Sequence, residues 1–244
     1  MRIITVAFQK GGVGKSTTAS ALVQAAAHKG KRVLAIDADP QGNFSYSLGA
    51  ASGGAGTLEL IEGTASAEEL IQTTQQGVDV IPANWELASV KSGKGSARRL
   101  SQALIPIKER YDICIIDTPT AAGELQYNAL MAADGLIMPM QANAYNLQTL
   151  YQMADTVAEV KKSNTDLCIL GFILTQFSDR TTLAKQMQET IIEEADALGI
   201  PYLGTIRKAV AVEEAAALQQ SLYEYAPNSK PASDYMRLFE SIDK

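Results

Sequence analysis

QKGGVGKSTT, residues 9–18, stands between an apolar run at 3–8 and a stretch with apolar side chains at helical spacing over 16–29. Glycines let successive backbone N–H groups curl around an anion, and the N-terminus of the following helix adds positive potential. Lys15 is placed to reach the β- and γ-phosphates of a nucleotide, and the Ser16 hydroxyl suits Mg²⁺. The usual phosphate-loop pattern has glycine where this chain has Gln9, and Lys10 adds a second cation. A strand, a glycine-rich loop and a helix in this order predict a phosphate-binding site.

The rest of the chain alternates between strand and helix patterns. Continuous β-prone apolar runs, typical of strands that are covered on both faces, occupy residues 3–8, 32–37, 78–82, 113–117, 135–140, 167–174 and 202–206. Helical spacing is clearest over 16–29, 147–158 and 183–198. The alternation predicts an α/β fold with a doubly wound, mostly parallel sheet flanked by helices. No linker or repeat interrupts the pattern, so residues 1–244 are interpreted as one domain.

Acidic residues end two of the predicted strands. Asp117 closes the run ICIID, and Asp37 and Asp39 follow the strand at 32–37. Ligands of open parallel sheets gather outside the carboxyl ends of the strands, so the three carboxylates and the glycine loop are expected to meet in one crevice. A carboxylate there suits Mg²⁺ held through water. The alternative for either strand is an aspartate that caps the next helix.

Composition narrows the classes of protein. Hydrophobic residues are 46% and charged residues 20%, which is typical of a globular protein. Lys plus Arg is 21 and Asp plus Glu is 27, giving a net charge of −6, so a uniformly basic nucleic-acid binder is excluded but a local basic patch is not. Two cysteines, Cys114 and Cys168, are too few for a disulfide scaffold or a four-thiolate metal site, and we expect both to be buried. No signal or membrane-spanning segment is evident, which predicts a cytoplasmic protein.

The motifs together resemble those of a known family. KGGVGKST with its extra Lys10, followed by DADPQGN at 37–43 and IIDTP at 115–119, is similar to the deviant Walker A ATPases of the ParA/MinD type. Further segments that resemble ParA proteins follow in the family's order, at 77–88, 128–134, 139–141, 171–175 and 225–235. The resemblance covers nearly the whole chain and favours the ParA partition branch, in the short form that lacks an N-terminal DNA-binding extension.

The resemblance implies roles for individual residues. Lys10 corresponds to the family's signature lysine, which reaches the nucleotide of a partner subunit across a dimer held together by ATP. The loop residues Gly11, Gly12, Val13, Gly14, Lys15, Ser16 and Thr17 would bind the phosphates, with Ser16 also on Mg²⁺. Asp39 matches the residue that orients the attacking water and lies at the metal. Asp37 matches an auxiliary residue near the metal, and Asp117 matches the aspartate that contacts Mg²⁺ through its bound water. The implied reaction is the hydrolysis of ATP to ADP and phosphate, weak until a partner stimulates it.

The resemblance is weaker where DNA contacts are expected. Residues 206–216 read IRKAVAVEEAA, with Arg207 at a usual proline and Ala211 at a usual arginine. We expect Arg207 to lie near the nucleotide. The candidate DNA-binding cations are Lys208, Arg180, Lys185, Lys230 and Arg237, together with Arg207 itself. The alternative for each of them is an ordinary solvated charge.

Two classes of function are compatible with this reading. The first is an ATP-dependent homodimer that binds DNA non-specifically, associates with the nucleoid, and segregates a plasmid, mobile element or chromosome with a ParB-like adaptor. The alternative is a related ATPase that positions a protein or membrane-associated cargo without contacting DNA. A metabolic enzyme on the same fold is a third possibility, against which Lys10 and the 225–235 segment argue.

The amphipathic segment at 234–244 carries more acids than bases, so we expect it to dock on the protein's own core and to provide no stable membrane anchor.

Overall fold

A central sheet organises the chain. The computed structural model describes residues 1–51, 53–90, 96–179 and 181–243 of the 244. Within them, the strands are β1 (Arg2–Val6), β2 (Val33–Asp37), β3 (Gln72–Thr73), β4 (Asp79–Ile81), β5 (Ile113–Asp117), β6 (Gly135–Met140), β7 (Cys168–Phe177) and β8 (Tyr202–Arg207). Their order across the sheet is β3-β4-β2-β5-β1-β6-β7-β8.

The sheet is parallel except at one edge. Every neighbouring pair runs parallel apart from β3 and β4, which are antiparallel. The predicted mostly parallel α/β fold is therefore confirmed. The seven predicted strands are all present, and β3 was not predicted. A strand of two polar residues has no apolar periodicity, and only its pairing with the edge strand β4 defines it.

The helices cover both faces of the sheet. They are α1 (Lys15–His28), α2 (Asn43–Leu48), α3 (Thr57–Glu62), α4 (Ala67–Leu70), α5 (Arg99–Ala103), α6 (Glu124–Ala132), α7 (Ala144–Lys161), α8 (Thr182–Ala197), α9 (Val210–Ala217), α10 (Leu222–Tyr225) and α11 (Lys230–Ile242). Short 3₁₀ helices occupy Trp85–Ser89, Ser96–Arg98 and Ile105–Arg110. Gly30, with φ +77°, follows α1 in the left-handed conformation that commonly ends a helix.

The apolar runs are continuous because both faces of each central strand are buried. In β2, Val33 and Ala35 pack into the core beneath α1, while Leu34 and Ile36 pack into the core on the opposite face. Strand β5 alternates in the same way. Side chains of a strand point alternately to the two faces of the sheet. If polar residues alternated with apolar ones, one face would present polar side chains to the helices that pack on it.

Helix α11 packs on the core, as predicted. Its residues Tyr235, Leu238, Phe239 and Ile242 are buried in the cluster that contains the apolar face of α1. Exposed ion pairs join its end to the region after α1, with Lys29–Glu240 at 2.6 Å. Such exposed pairs contribute little, so the apolar contact provides most of the attachment.

One of the two expectations about the cysteines is wrong. Cys114 is buried, but Cys168 is exposed at the first residue of β7. Trp85 begins a 3₁₀ helix and is 77% exposed. Among the described residues, no helix combines the length and apolar character needed to cross a membrane.

Candidate functional site

The loop that follows β1 has a conformation that requires glycine. Gly12 and Gly14 have φ of +73° and +84°, in the left-handed region. Gly14 is also the residue that precedes α1, and its carbonyl accepts the first helical hydrogen bond from Thr18 N at 2.9 Å. The loop therefore turns back toward the N-terminus of α1, where free N–H groups and the helix dipole favour an anion.

Side chains from three other elements hold this loop. The Gln141 amide donates to the Gly12 carbonyl at 3.1 Å, and the Thr175 hydroxyl donates to the Val13 carbonyl at 2.7 Å. Gln9, which replaces the first glycine of the common pattern, donates to Gln126 Oε1 on α6 at 2.9 Å. The side chain at that position thus gives the loop an anchor that glycine could not provide.

The two lysines of the loop point to different places. Lys15 is only 7% exposed, and its ammonium donates to the Lys10 carbonyl at 3.0 Å and to the Thr120 hydroxyl at 3.1 Å. Burial lowers the pKa of Lys15, and the carboxylates of Asp117 and Asp39 oppose that shift. Lys10 turns instead to the start of α7, with Nζ 3.4 Å from Asn143 Oδ1.

Asp37 and Asp117 lie side by side at the carboxyl end of the sheet. They are partners in the parallel register of β2 and β5, so their side chains emerge on the same face. Asp37 accepts hydrogen bonds from Ser45 N at 2.8 Å and Oγ at 2.7 Å, and from Asp39 N at 3.0 Å. Burial raises the pKa of Asp37 to about 6, although the Ser45 bonds oppose the shift. Asp39 is half-buried beside this pair, and its Oδ1 accepts from Gln41 N at 3.0 Å.

Asp117 has an electrostatic environment that calls for a cation. It is fully buried, and neither carboxylate oxygen has a hydrogen-bond partner among the described residues. Burial raises its pKa well above the usual range and the neighbouring Asp37 raises it further, while the nearby Ser16 hydroxyl and, to a smaller extent, Lys15 oppose the shift. Two orphaned oxygens beside the phosphate loop fit a water-coordinated divalent cation. In the described part of the chain, no three His, Cys, Asp or Glu side chains form a group that could hold a metal ion by themselves.

Comparison with known proteins identifies the family. A family model described as an AAA domain, AAA_31, matches residues 1–169. The chromosome-partitioning ATPase Soj of Thermus thermophilus is 35% identical over 245 residues, covering 99% of this chain and 95% of that protein. Other relatives of similar identity are also Soj and ParA proteins. The chain belongs to the ParA-type ATPase family.

Solved structures agree with this assignment of the fold. Cobyrinic acid a,c-diamide synthase from Mycobacterium smegmatis, with bound ATP analog and magnesium, has a TM-score of 0.85 and 29% identity, covering 98% of this chain and 93% of that one. The septum site-determining protein MinD from Pyrococcus horikoshii, complexed with Mg-ADP, has a TM-score of 0.81 and 27% identity, covering 100% and 96%. Both structures contain a nucleotide bound together with magnesium.

Arg207, expected near the nucleotide, lies at the edge of a small cavity beside the phosphate loop. Gly14 and Thr17 also line this cavity, together with the end of β7. The Arg207 guanidinium forms two bonds with the carboxylate of Asp234, from Nε at 2.9 Å and from Nη2 at 2.7 Å. Asp234 is buried and also contacts Arg237. Arg207 thus joins β8 to α11 at the rim of the site.

The candidate DNA-binding cations do not all gather in one place. Lys208, Lys230 and Arg237 are exposed around the end of β8 and the first turns of α11. Within this group, Arg237 forms an ion pair with Asp234, which partly neutralises its charge. Lys185 is exposed on α8, and Arg180 lies outside the described residues. The assignment of these residues to DNA stays a prediction.

Sequence reasoning missed several residues of the site. Thr120 contacts Lys15, and Asn143 contacts Lys10, but both lie more than a hundred positions from their partners. The signal for Thr120 was its place three residues beyond Asp117, in the loop that leaves the same edge of the sheet. Asp234 gave no comparable signal, because one acid in an amphipathic helix is usually solvated.

Asp117→Asn is expected to stabilise the protein in the absence of metal while weakening nucleotide binding. A neutral amide removes the cost of burying an unpartnered charge, which we expect to raise the free energy of unfolding by about 1–3 kcal/mol. The raised pKa values of Asp37 and Asp117 favour folding at low pH, and this contribution is lost as the pH rises through about 6 and above. The gain in the variant should therefore be larger at pH 8 than at pH 6.

Thermal denaturation in EDTA at the two pH values measures this effect. Asp166→Asn, an exposed carboxylate between α7 and β7, is the matched control and should change little. Titration with Mg-ATP should show affinity lowered by about 10- to 100-fold in Asp117→Asn. A variant that is less stable than wild type at pH 8 without metal would contradict the assignment of Asp117 as a cation-facing carboxylate.

Proposed function

We propose that this protein is an ATP-hydrolysing partition protein. Two chains would join as a sandwich dimer when each binds ATP, and the dimer would bind DNA non-specifically to segregate or position a plasmid, mobile element or chromosome. A ParB-like DNA-binding adaptor would stimulate an otherwise weak ATPase activity. The protein would be cytoplasmic and would associate with the nucleoid in its ATP-bound state. The observation that carries the proposal is the contrast between the two loop lysines, since the Lys15 ammonium is near the carboxylates of Asp117 and Asp39 whereas the Lys10 ammonium is directed to Asn143.

The phosphates of ATP fit the loop that ends at Gly14. Backbone N–H groups at 11–17 and the start of α1 would bind the β- and γ-phosphates, with the Lys15 ammonium beside them. Ser16 would bind Mg²⁺ directly, and Asp39 and Asp117 would hold its waters. When bound, Mg²⁺ neutralises charge on the transferring phosphate. The family relatives with bound magnesium and nucleotide support this assignment.

The position of Lys10 supports hydrolysis in trans. Its ammonium lies at Asn143, the residue that caps α7, whereas the Lys15 ammonium stays within the loop between the Lys10 carbonyl and Thr120. A cation supplied by the partner chain would neutralise charge that develops on the γ-phosphate, as an arginine finger does. Asp39, which is half-buried, would orient the attacking water. A single chain would then hydrolyse ATP slowly because it lacks this cation.

DNA binding is the part of the proposal that a direct assay decides. With a net charge of −6, contacts to phosphate must come from a few cations, so binding should be weak and sensitive to salt. Filter binding with mixed-sequence DNA should show retention with Mg-ATP and little without it. Lys208→Ala should lower the affinity equally for all DNA sequences. It should also reduce the slope of log affinity against log salt concentration by about one. Lys161→Ala, an exposed cation at the end of α7, is the control.

The absence of ATP-dependent retention at low salt would favour the second candidate. In that case the ATPase would position a protein or membrane-associated cargo without contacting DNA. The pairing of Arg207 and Arg237 with Asp234, the alanine at 211 and the similarity to MinD favour it. Liposome flotation and partner pull-down separate the two. The metabolic alternative has a structural relative in the synthase at 29% identity, but the partitioning ATPase at 35% is closer in sequence.

A further inference from the structure

The ammonium of Lys10 is held by an unusual pair of groups. Its Nζ lies 5.1 Å from the centroid of the Tyr145 ring and 3.4 Å from Asn143 Oδ1. Both groups belong to the start of α7, a helix whose Leu150 and Met153 share a core cluster with Val13 of the loop. Within the described residues, Lys10 forms no ion pair. The ring and the amide oxygen are therefore the partners that the structure gives to this cation.

The N-terminus of a helix is an unfavourable place for a cation. The free N–H groups of α7 carry partial positive charge, which repels an ammonium. Asn143 Oδ1 compensates in part, but it also accepts from Asn146 N at 3.2 Å as the cap of the helix. The electron-rich face of Tyr145 supplies the remaining attraction, at a distance within the range of cation–π contacts.

Tyr145 has no other evident task in the fold. Its side chain is 79% exposed, although it is a large ring at the first turn of α7. Cation–π contacts at exposed sites are weak, so Lys10 can leave this position readily. Such a weak contact with an exposed ring is suited to a lysine that later moves to another position.

We propose that Tyr145 is a positioning residue that retains Lys10 in the separate chain and releases it when two chains join on ATP. This inference rests on the proposed function, because it takes Lys10 as the cation supplied to the partner. Breaking the contact then opposes association. Each dimer would break two such contacts, one from each chain, so removing the ring should lower the protein concentration for half-maximal ATP-dependent association by about 5- to 30-fold.

The contact itself is measurable without nucleotide. In protein labelled with ¹³C-lysine, with Lys10 assigned from a Lys10→Arg variant, the ring should shift the ε-methylene signal upfield. Tyr145→Phe keeps a ring face and should keep the shift, whereas Tyr145→Leu should lose it. Tyr151→Leu, an exposed tyrosine on the same helix, is the matched control. An unchanged Lys10 signal in Tyr145→Leu would overturn the proposal.

Sedimentation velocity with Mg-ATP tests the release. Tyr145→Leu should associate at lower concentration than wild type, Tyr145→Phe should behave like wild type, and Lys10→Ala should abolish the difference between Leu and Tyr at 145. Weaker or unchanged association in Tyr145→Leu would overturn the release step. If the wild type fails to associate at all, the proposed function and the release step are wrong, while the lysine spectrum still decides whether Tyr145 holds Lys10.

Discussion

Lys10→Ala is expected to leave ATP binding intact and to lower partner-stimulated hydrolysis by roughly 10³-fold, the range seen when a cation supplied in trans is lost. The residues placed to bind the phosphates do not include the Lys10 side chain in its own chain. Its ammonium is directed to Asn143, and only its backbone carbonyl contacts Lys15. The variant therefore keeps the loop conformation and loses the charge that the partner would receive.

Two measurements separate binding from chemistry in this variant. Binding of a fluorescent ATP analogue should match wild type within about two-fold, and phosphate release in the presence of the adaptor should fall to the background rate. Lys15→Ala is the contrasting control, since it removes the ammonium that faces the nucleotide and should lose binding as well. Full stimulated turnover by Lys10→Ala would show that the lysine does not act in trans.

Asp39→Ala is expected to bind ATP, form the dimer and then remain in it. A residue that orients or activates water contributes about 10²- to 10⁴-fold to the rate, so the ATP-bound state should accumulate. The local structure suggests that this substitution changes hydrolysis without disturbing the fold of the loop. Asp39 is half-buried, whereas Asp37 is fully buried and accepts the hydrogen bonds from Ser45 that support the loop.

Size-exclusion chromatography with Mg-ATP should show a dimer that persists for hours in Asp39→Ala and decays in wild type. Gln41→Ala is the matched control, because it changes the same exposed loop but keeps the backbone N–H that Asp39 accepts from. A monomeric Asp39→Ala in Mg-ATP would place the role of this carboxylate in dimer formation rather than in hydrolysis.

The sheet and the phosphate loop are predictable from local sequence. Strands β2 and β5 appear as continuous apolar runs because helices cover both of their faces, and Gly12 and Gly14 mark a loop that needs left-handed residues. The convergence of Asp37 and Asp117 follows from parallel strands that end at one edge.

Contacts between distant segments were not predictable. Tyr145 and Asp234 have local surroundings typical of solvated residues, and only the packing of α7 and α11 brings them beside Lys10 and Arg207. Trp85 shows the converse, because a large apolar side chain predicts burial and the fold gives it none. Pairwise contact over long separations leaves no periodic pattern in the sequence.

The packing of α11 on α1 bears on how the protein is made. Thr18, one turn into the helix that carries Ser16, contacts the Tyr235 hydroxyl at 3.4 Å across a separation of 217 residues. Closing so long a loop is slow, and the apolar face of α1 has no complete cover until α11 emerges from the ribosome. Competence to bind nucleotide should therefore arise late in synthesis, after nearly all of these 244 residues have been translated.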